Sequence, residues 1–217
     1  MIEFCNVSKT YDMKGGKNII LDNVSFKFPE SRNIGVLGVN GAGKSTLLRL
    51  IAGSEYPEKG KILRKGKYSW PLGFSGSFHG NLSGIENLRF ACRIYGADIK
   101  YVTEFVKDFS ELGKYIEEPI KTYSSGMKSR LAFALSMAID FDVYLVDEIM
   151  GVGDQGFQKK CHAAFAAKRE TSSVIMVSHS MKTIKDYSDV AILLTGKDLE
   201  IHEDVDHAIE LYNGLTS

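Results

Sequence analysis

A lysine and a serine that directly follow a glycine, with further glycines just upstream, form a combination suited to phosphate chemistry. The stretch Gly38-Val39-Asn40-Gly41-Ala42-Gly43-Lys44-Ser45 fits G-x-x-x-x-G-K-[ST], with Thr46 continuing it. Glycines at 38, 41 and 43 let backbone N–H groups turn inward around phosphate oxygens without a Cβ in the way. A helix opening near Lys44 adds the positive end of its dipole. Lys44 would reach the β- and γ-phosphates, and the Ser45 hydroxyl would sit on Mg²⁺. The residues therefore point to a bound nucleoside triphosphate.

Other chemistry-bearing residues cluster at the ends of apolar runs. Val143–Val146 leads into Asp147-Glu148, where an aspartate can hold Mg²⁺ and a glutamate can polarise a water. Val174–Val177 leads into Ser178-His179, and the helical stretch Gln155–Arg169 between the two runs suggests one βαβ crossover. Asp147, Glu148 and His179 would then share one sheet edge. Tyr11 precedes the phosphate loop and could stack on a purine or simply be half-buried. Ser124-Ser125-Gly126 opens a strongly apolar helix, Leu131–Ile139, as an anion site or merely as a well-capped start.

The elements needed to position these groups alternate along the chain. Met1–Val7 and Ile19–Phe28 read as strands, with Lys14–Lys17 a turn and Tyr11 in the connection. Ile34–Leu37 is the strand before the phosphate loop, and Lys44–Ala52 the helix after it, with Gly53 suited to its end. Ile62–Trp70 reads as one or two short strands, and the glycine- and serine-rich Pro71–Gly84 as a loop. Helical periodicity marks Glu86–Tyr95, with Ser83 as its cap, and Tyr101–Leu112. Val190–Leu194 and Leu199–His202 suggest a final hairpin, and Val205–Leu215 a closing helix.

At 217 residues the chain is long enough for a sizeable core. Its 27 basic and 27 acidic residues cancel, which argues against a nucleic-acid partner or a polybasic membrane anchor. No apolar run approaches the ~20 residues of a membrane-spanning helix. The first residues show no secretory leader pattern, and Cys5, Cys92 and Cys161 have no metal spacing, so reduced cytosolic thiols are expected.

Taken together, these stretches resemble the ATP-binding-cassette ATPases over nearly the whole chain. The resemblance implies an α/β fold: a P-loop NTPase (RecA-like) core, an N-terminal antiparallel β-subdomain and an inserted α-helical subdomain. It implies one domain over 1–217, with core at about 1–84 and 140–217 and helices at 85–139. Tyr11 matches the adenine-stacking aromatic, Gly38–Ser45 the phosphate loop, Tyr123–Met127 the signature motif, Asp154 the D-loop aspartate and His179 the switch histidine. In that family two chains sandwich two ATP molecules, each phosphate loop facing the other chain's signature helix. Ser124, Ser125, Gly126 and Asp154 would thus contact nucleotide across a homodimer, while Lys44, Glu148 and His179 serve catalysis.

Ile149–Asp154 and Phe157–Cys161 look like the cell-surface polysaccharide exporters, and Ser69–Leu72, Phe109–Gly113, Tyr123–Lys128 and Arg130–Phe133 like the capsular-polysaccharide export ATPases of Gram-negative bacteria. Those act with ATP and Mg²⁺ on the cytoplasmic face of the inner membrane, held there by an integral-membrane permease. Exporters of O-antigen or teichoic acid are the alternative, and a further carbohydrate-binding domain is not expected in a chain of this length. Two departures stand out: Ser125 and Met127 replace the usual signature glycine and glutamine, and the loop that usually offers Mg²⁺ a glutamine has none. His79 is the best-placed polar substitute, so Ser45, Asp147 and His79 form the expected metal set.

Overall fold

The computed structural model describes residues 1–72, 78–147 and 153–216. The chain divides into two compact units. The first comprises Met1–Pro71, Val143–Glu148 and Ser172–Ser217, the second Leu72–Asp142 and Ile149–Thr171.

The first unit opens with a long hairpin of β1 (Ile2–Met13) and β2 (Gly16–Lys27), turning at Lys14-Gly15. Both strands extend well beyond the apolar segments, so Tyr11 lies on a strand and not in a connection, opposite Asn18. Register shifts between Phe4 and Val7, Val7 and Lys9, and Lys9 and Thr10 explain the difference. Each bulge breaks the two-residue alternation, so a paired strand no longer reads as one. Asn6 and Asn23 take left-handed φ of 52° and 56°, a conformation that asparagine tolerates better than most residues. The N–H of Asn6 donates to Ser25 Oγ and that of Asn23 to Ser8 Oγ, both at 3.0 Å, so side chains satisfy groups the ladder leaves unpaired.

A third strand, β4 (Lys59–Arg64), pairs antiparallel with β1 to complete a sheet of order β2-β1-β4. The apolar run Ile62–Trp70 is therefore split between sheets, because β5 (Tyr68–Leu72) joins the second one. That sheet has the order β5-β6-β7-β3-β8-β9, where β3 is Ile34–Leu37, β6 Val143–Asp147, β7 Ser173–Val177, β8 Val190–Thr195 and β9 Asp198–His202. β6, β7, β3 and β8 run parallel, and β9 returns antiparallel to β8 as the expected hairpin. All four residues of β3 are buried, as expected of a central parallel strand covered on both faces. Val36 is in register with Val177, and Val177 with Asp147, which brings three strand ends to one edge.

Helix α1 (Lys44–Ala52) has the expected bounds and stops at Gly53, whose φ is 76°. Its Leu47, Leu48, Leu50 and Ile51 are fully buried in a core shared with Phe4, Leu21, Ile175 and Ile192. Each such side chain contributes on the order of 1.5–3 kcal/mol. A short helix that apolar periodicity does not show, Met181–Tyr187, follows β7; Ser180 caps it and Ile184 is its buried residue. The closing helix spans Val205–Thr216.

The second unit is helical. α2 (Gly84–Tyr95) begins with a full capping box: Ser83 Oγ accepts from Glu86 N–H, and the Glu86 carboxylate accepts from Ser83 N–H at 2.8 Å. α3 (Ile99–Ser110) buries Val102, Val106 and Phe109 on one stripe. α4 (Ser125–Ala138) starts six residues before the apolar run, at the signature stretch, and buries every residue from Leu131 to Ala138. α5 is Gln155–Arg169, as expected. Phe109 packs against Phe133 and Phe157, with ring centroids 6.1 and 5.7 Å apart. Cys92 and Cys161 are buried here, and burial pushes the Cys161 thiol up to about 12. Among the described residues no helix is long and apolar enough to cross a membrane.

Candidate functional site

At the shared edge of β3, β6 and β7 the first unit carries a cavity of about 330 Å³. It is lined by Tyr11, Asn40, Gly41, Gly43, Lys44, Ser45, Thr46, Asp147 and His179, together with Asn18, Ile20 and Val177. Residues from five segments of sequence thus meet in one hollow because three parallel strands end together.

The phosphate loop is shaped by its glycines. Gly41 and Gly43 have φ of 82° and 105°, and a Cβ on Gly43 would lie 2.2 Å from Ile20 Cγ2. Gly38, Val39 and Ala42 form the frame of the loop and are absent from the cavity lining. Ala42 N–H donates to the Val39 carbonyl at 3.1 Å. Lys44 Nζ donates to the Gly38 and Val39 carbonyls at 2.6 and 3.2 Å, so its ammonium is held against the loop's own backbone. Val39 and Ala42 line an adjoining hollow instead. Ser45 is exposed and shares the cavity wall with Asp147, which supplies two oxygen donors. That fits Mg²⁺, which keeps several of its waters and takes one or two protein oxygens.

Tyr11 is tied down by its hydroxyl. It donates to Glu55 Oε1 at 2.5 Å, accepts from Arg49 Nη2 at 3.1 Å and lies 3.3 Å from Thr46 Oγ1. Burial would raise the Glu55 carboxyl, but hydrogen bonds from Lys9, Tyr11 and Arg49 outweigh it and hold the group at about 2, below the ordinary 4.5. Since the folded value is the lower one, this carboxylate stabilises the fold fully above about pH 4.5 and loses its contribution as the pH falls towards 2. The difference in urea midpoint between wild type and Glu55→Gln should therefore stay level from pH 6 to about pH 4.5 and then shrink as the pH falls to 3. A constant difference over that range would rule the linkage out.

Other expected site residues belong to the second unit. Ser124 caps α4 by accepting from Met127 N–H at 3.2 Å, and Ser124, Ser125 and Gly126 are exposed. A Cβ on Gly126 would meet only Ser124 Oγ, at 3.9 Å, so the unit's own packing does not demand a glycine there. Asp154 caps α5 through Phe157 N–H at 3.0 Å and pairs with Arg130 Nη2 at 2.7 Å; these partners hold its carboxyl below the usual range. Arg130 follows the signature stretch on α4, so the ion pair links the two expected contact points. His79 is exposed, and its main chain is clamped by Asn87, whose Oδ1 accepts from His79 N–H at 2.8 Å and whose Nδ2 donates to its carbonyl at 3.2 Å. Glu148 lies outside the described residues.

Asn18, Ile20, Glu55, Arg49 and Asn87 were not legible as site residues. Ile20 reads as one more alternating core position of β2, and no motif or periodic pattern marks Glu55. A polar residue beside Leu88 on the buried face of α2 was the available signal for Asn87, which is 5% exposed.

Comparison with known proteins identifies the family and the fold. The family model described as ABC transporter matches residues 21–151. The capsule polysaccharide export ATP-binding protein CtrD of Neisseria meningitidis serogroup B is 52% identical, over 99% of this chain and 100% of its own length. The ATP-binding protein BexA of Haemophilus influenzae is 50% identical, over 98% of each chain. The teichoic acids export ATP-binding protein TagH of Bacillus cereus is 36% identical, and this chain spans 42% of its length. Among solved structures, a dimeric post-hydrolysis ATP-binding cassette bound to ADP and Pi superposes with a TM-score of 0.73 at 20% identity, covering 93% of this chain and 98% of that one. The chain belongs to the ABC transporter family, among the ATP-binding proteins related to capsule polysaccharide export.

Proposed function

We propose that this protein is the ATP-hydrolysing subunit of a transporter that exports capsular polysaccharide across the inner membrane. The observation that carries the reading is the full-length likeness to capsule export ATP-binding proteins, set against a weaker and partial likeness to a teichoic acid exporter. In this reading the chain works as a homodimer when ATP is bound. It docks on an integral-membrane permease at the cytoplasmic face and has no nucleic-acid partner. The balanced charge, 27 against 27, supports the last point.

Tyr11 stacks on the adenine, and the N–H groups of Gly41 and Gly43–Thr46 surround the phosphates. Lys44 exchanges the Gly38 and Val39 carbonyls for β- and γ-phosphate oxygens, a stronger set of charged acceptors. Ser45 and Asp147, which share the cavity wall, would hold Mg²⁺. Bound there, the ion neutralises charge on the transferring γ-phosphoryl group. Glu148 takes the proton of the attacking water, and His179 hydrogen-bonds the γ-phosphate. The exposed start of α4 at Ser125 and Gly126 offers unpaired backbone N–H groups to the nucleotide held by the second chain, with Asp154 beside it. Most of the rate enhancement is electrostatic, from donors fixed before the reaction begins.

Phosphate release by the purified protein tests this. Turnover with ATP should fall to background when EDTA removes Mg²⁺ and return when the ion is restored. Turnover that is indifferent to chelation would remove Ser45 and Asp147 from a metal-holding role.

A further inference from the structure

We infer that Glu55 is a positioning residue for base recognition: its carboxylate fixes the Tyr11 ring by the hydroxyl and ties it to the helix that opens on the phosphate loop. The inference rests on the reading that Tyr11 stacks on the nucleotide base. Stacking uses only the face of a ring, and for that purpose a phenylalanine would serve as well as a tyrosine. Here the hydroxyl is nonetheless fully engaged, with Glu55, Arg49 and Thr46 all within hydrogen-bond distance.

Glu55 is the centre of this cluster. Besides Tyr11, its carboxylate accepts from Lys9 Nζ at 2.8 Å and from Arg49 Nε at 2.9 Å. Arg49 Nη2 in turn donates to Thr46 Oγ1 at 3.0 Å. The Glu55 and Lys9 side chains are only 17% and 12% exposed, so the charges are partly shielded from water and from salt. Lys9 Nζ also lies over the Tyr11 ring, 5.0 Å from its centroid, and Tyr11 lines the same cavity as the phosphate loop. Lys9 and Tyr11 come from β1, Thr46 and Arg49 from α1, and Glu55 from the turn after α1. The base platform and the phosphate-binding helix are therefore joined through one carboxylate. A ring held in place before the nucleotide arrives need not be ordered on binding, which is the gain from preorganisation.

The test compares ATP with inorganic tripolyphosphate, which has the phosphates and no base, by calorimetry on the whole chain. Tyr11→Phe and Glu55→Ala should each weaken ATP roughly fivefold, the effect of one net hydrogen bond. Tripolyphosphate binding should stay within about twofold of wild type for both. The double variant should be no weaker than either single one, because both break the same link. Glu55→Gln keeps an oxygen for the Tyr11 hydroxyl and should recover most of the loss. Equal weakening of both ligands in Glu55→Ala would mean general support of the fold and would overturn the proposal. Wild-type ATP affinity in Tyr11→Phe, beside a loss of about tenfold or more in Tyr11→Ala, would overturn it while leaving base stacking intact. If Tyr11→Ala itself leaves the ratio of the two affinities unchanged, the stacking role fails and the inference falls with it.

Discussion

Nucleotide binding should disappear from Lys44→Ala while the fold survives. The Lys44 ammonium contacts the Gly38 and Val39 carbonyls at 2.6 and 3.2 Å, and Val39 is exposed, so water can take over at the loop surface when the side chain goes. The frame of the loop does not depend on it, because Ala42 N–H still bonds the Val39 carbonyl and Gly41 and Gly43 still set the turn. What is lost is a positive charge aimed at the phosphates. Hydrogen bonds to charged groups are worth roughly 1.5–3 kcal/mol each, so losing two weakens binding by about two to four orders of magnitude. Calorimetry with ATP, alongside circular dichroism, measures both halves of the expectation. Binding at wild-type affinity would remove Lys44 from the phosphate site.

The second large effect concerns turnover. Glu148→Gln should retain ATP affinity but slow hydrolysis by roughly 10²–10⁴-fold, the usual loss when a positioned base is removed. Its neighbour Asp147 closes β6 in register with Val177 and lines the cavity. Glutamine keeps the shape and cannot accept the proton. Because hydrolysis is what reopens the dimer in this scheme, the variant should accumulate as a dimer with ATP and Mg²⁺ on size-exclusion chromatography. A monomeric variant with normal turnover would take Glu148 out of the mechanism.

The phosphate loop was legible because its chemistry is local: glycines, lysine and serine carry the function within one short stretch, bounded by an apolar strand and an apolar helix. The bounds of Lys44–Ala52 and Gln155–Arg169 were legible for the same reason, since each helix has its own pattern and start signal. The extension of β1 to Tyr11 was not, because bulges at Val7 and Lys9 scramble the alternation that marks a strand. Nor was the early start of α4, where Met127 is the one large apolar residue in Ser125–Arg130 and only the cap geometry at Ser124 marks the beginning. The helix after Ser180 buries a single residue, Ile184, too little for a periodic signal. Glu55 could not be read as a partner of Tyr11 at all. The two are 44 residues apart, and nothing but the packing of β1 beside α1 brings them together.

The central claim is that ATP turnover at this site drives a polymer out of the cell. Its most direct measurement is the distribution of capsular polysaccharide in cells that carry either wild type or Glu148→Gln in place of the native copy. Polysaccharide should be assayed at the surface and, after lysis, inside. The account predicts surface polymer with wild type and retained intracellular polymer with Glu148→Gln, at equal protein levels and unchanged synthesis. Normal surface polymer in cells whose only copy is Glu148→Gln, shown to be inactive as an ATPase, would contradict it.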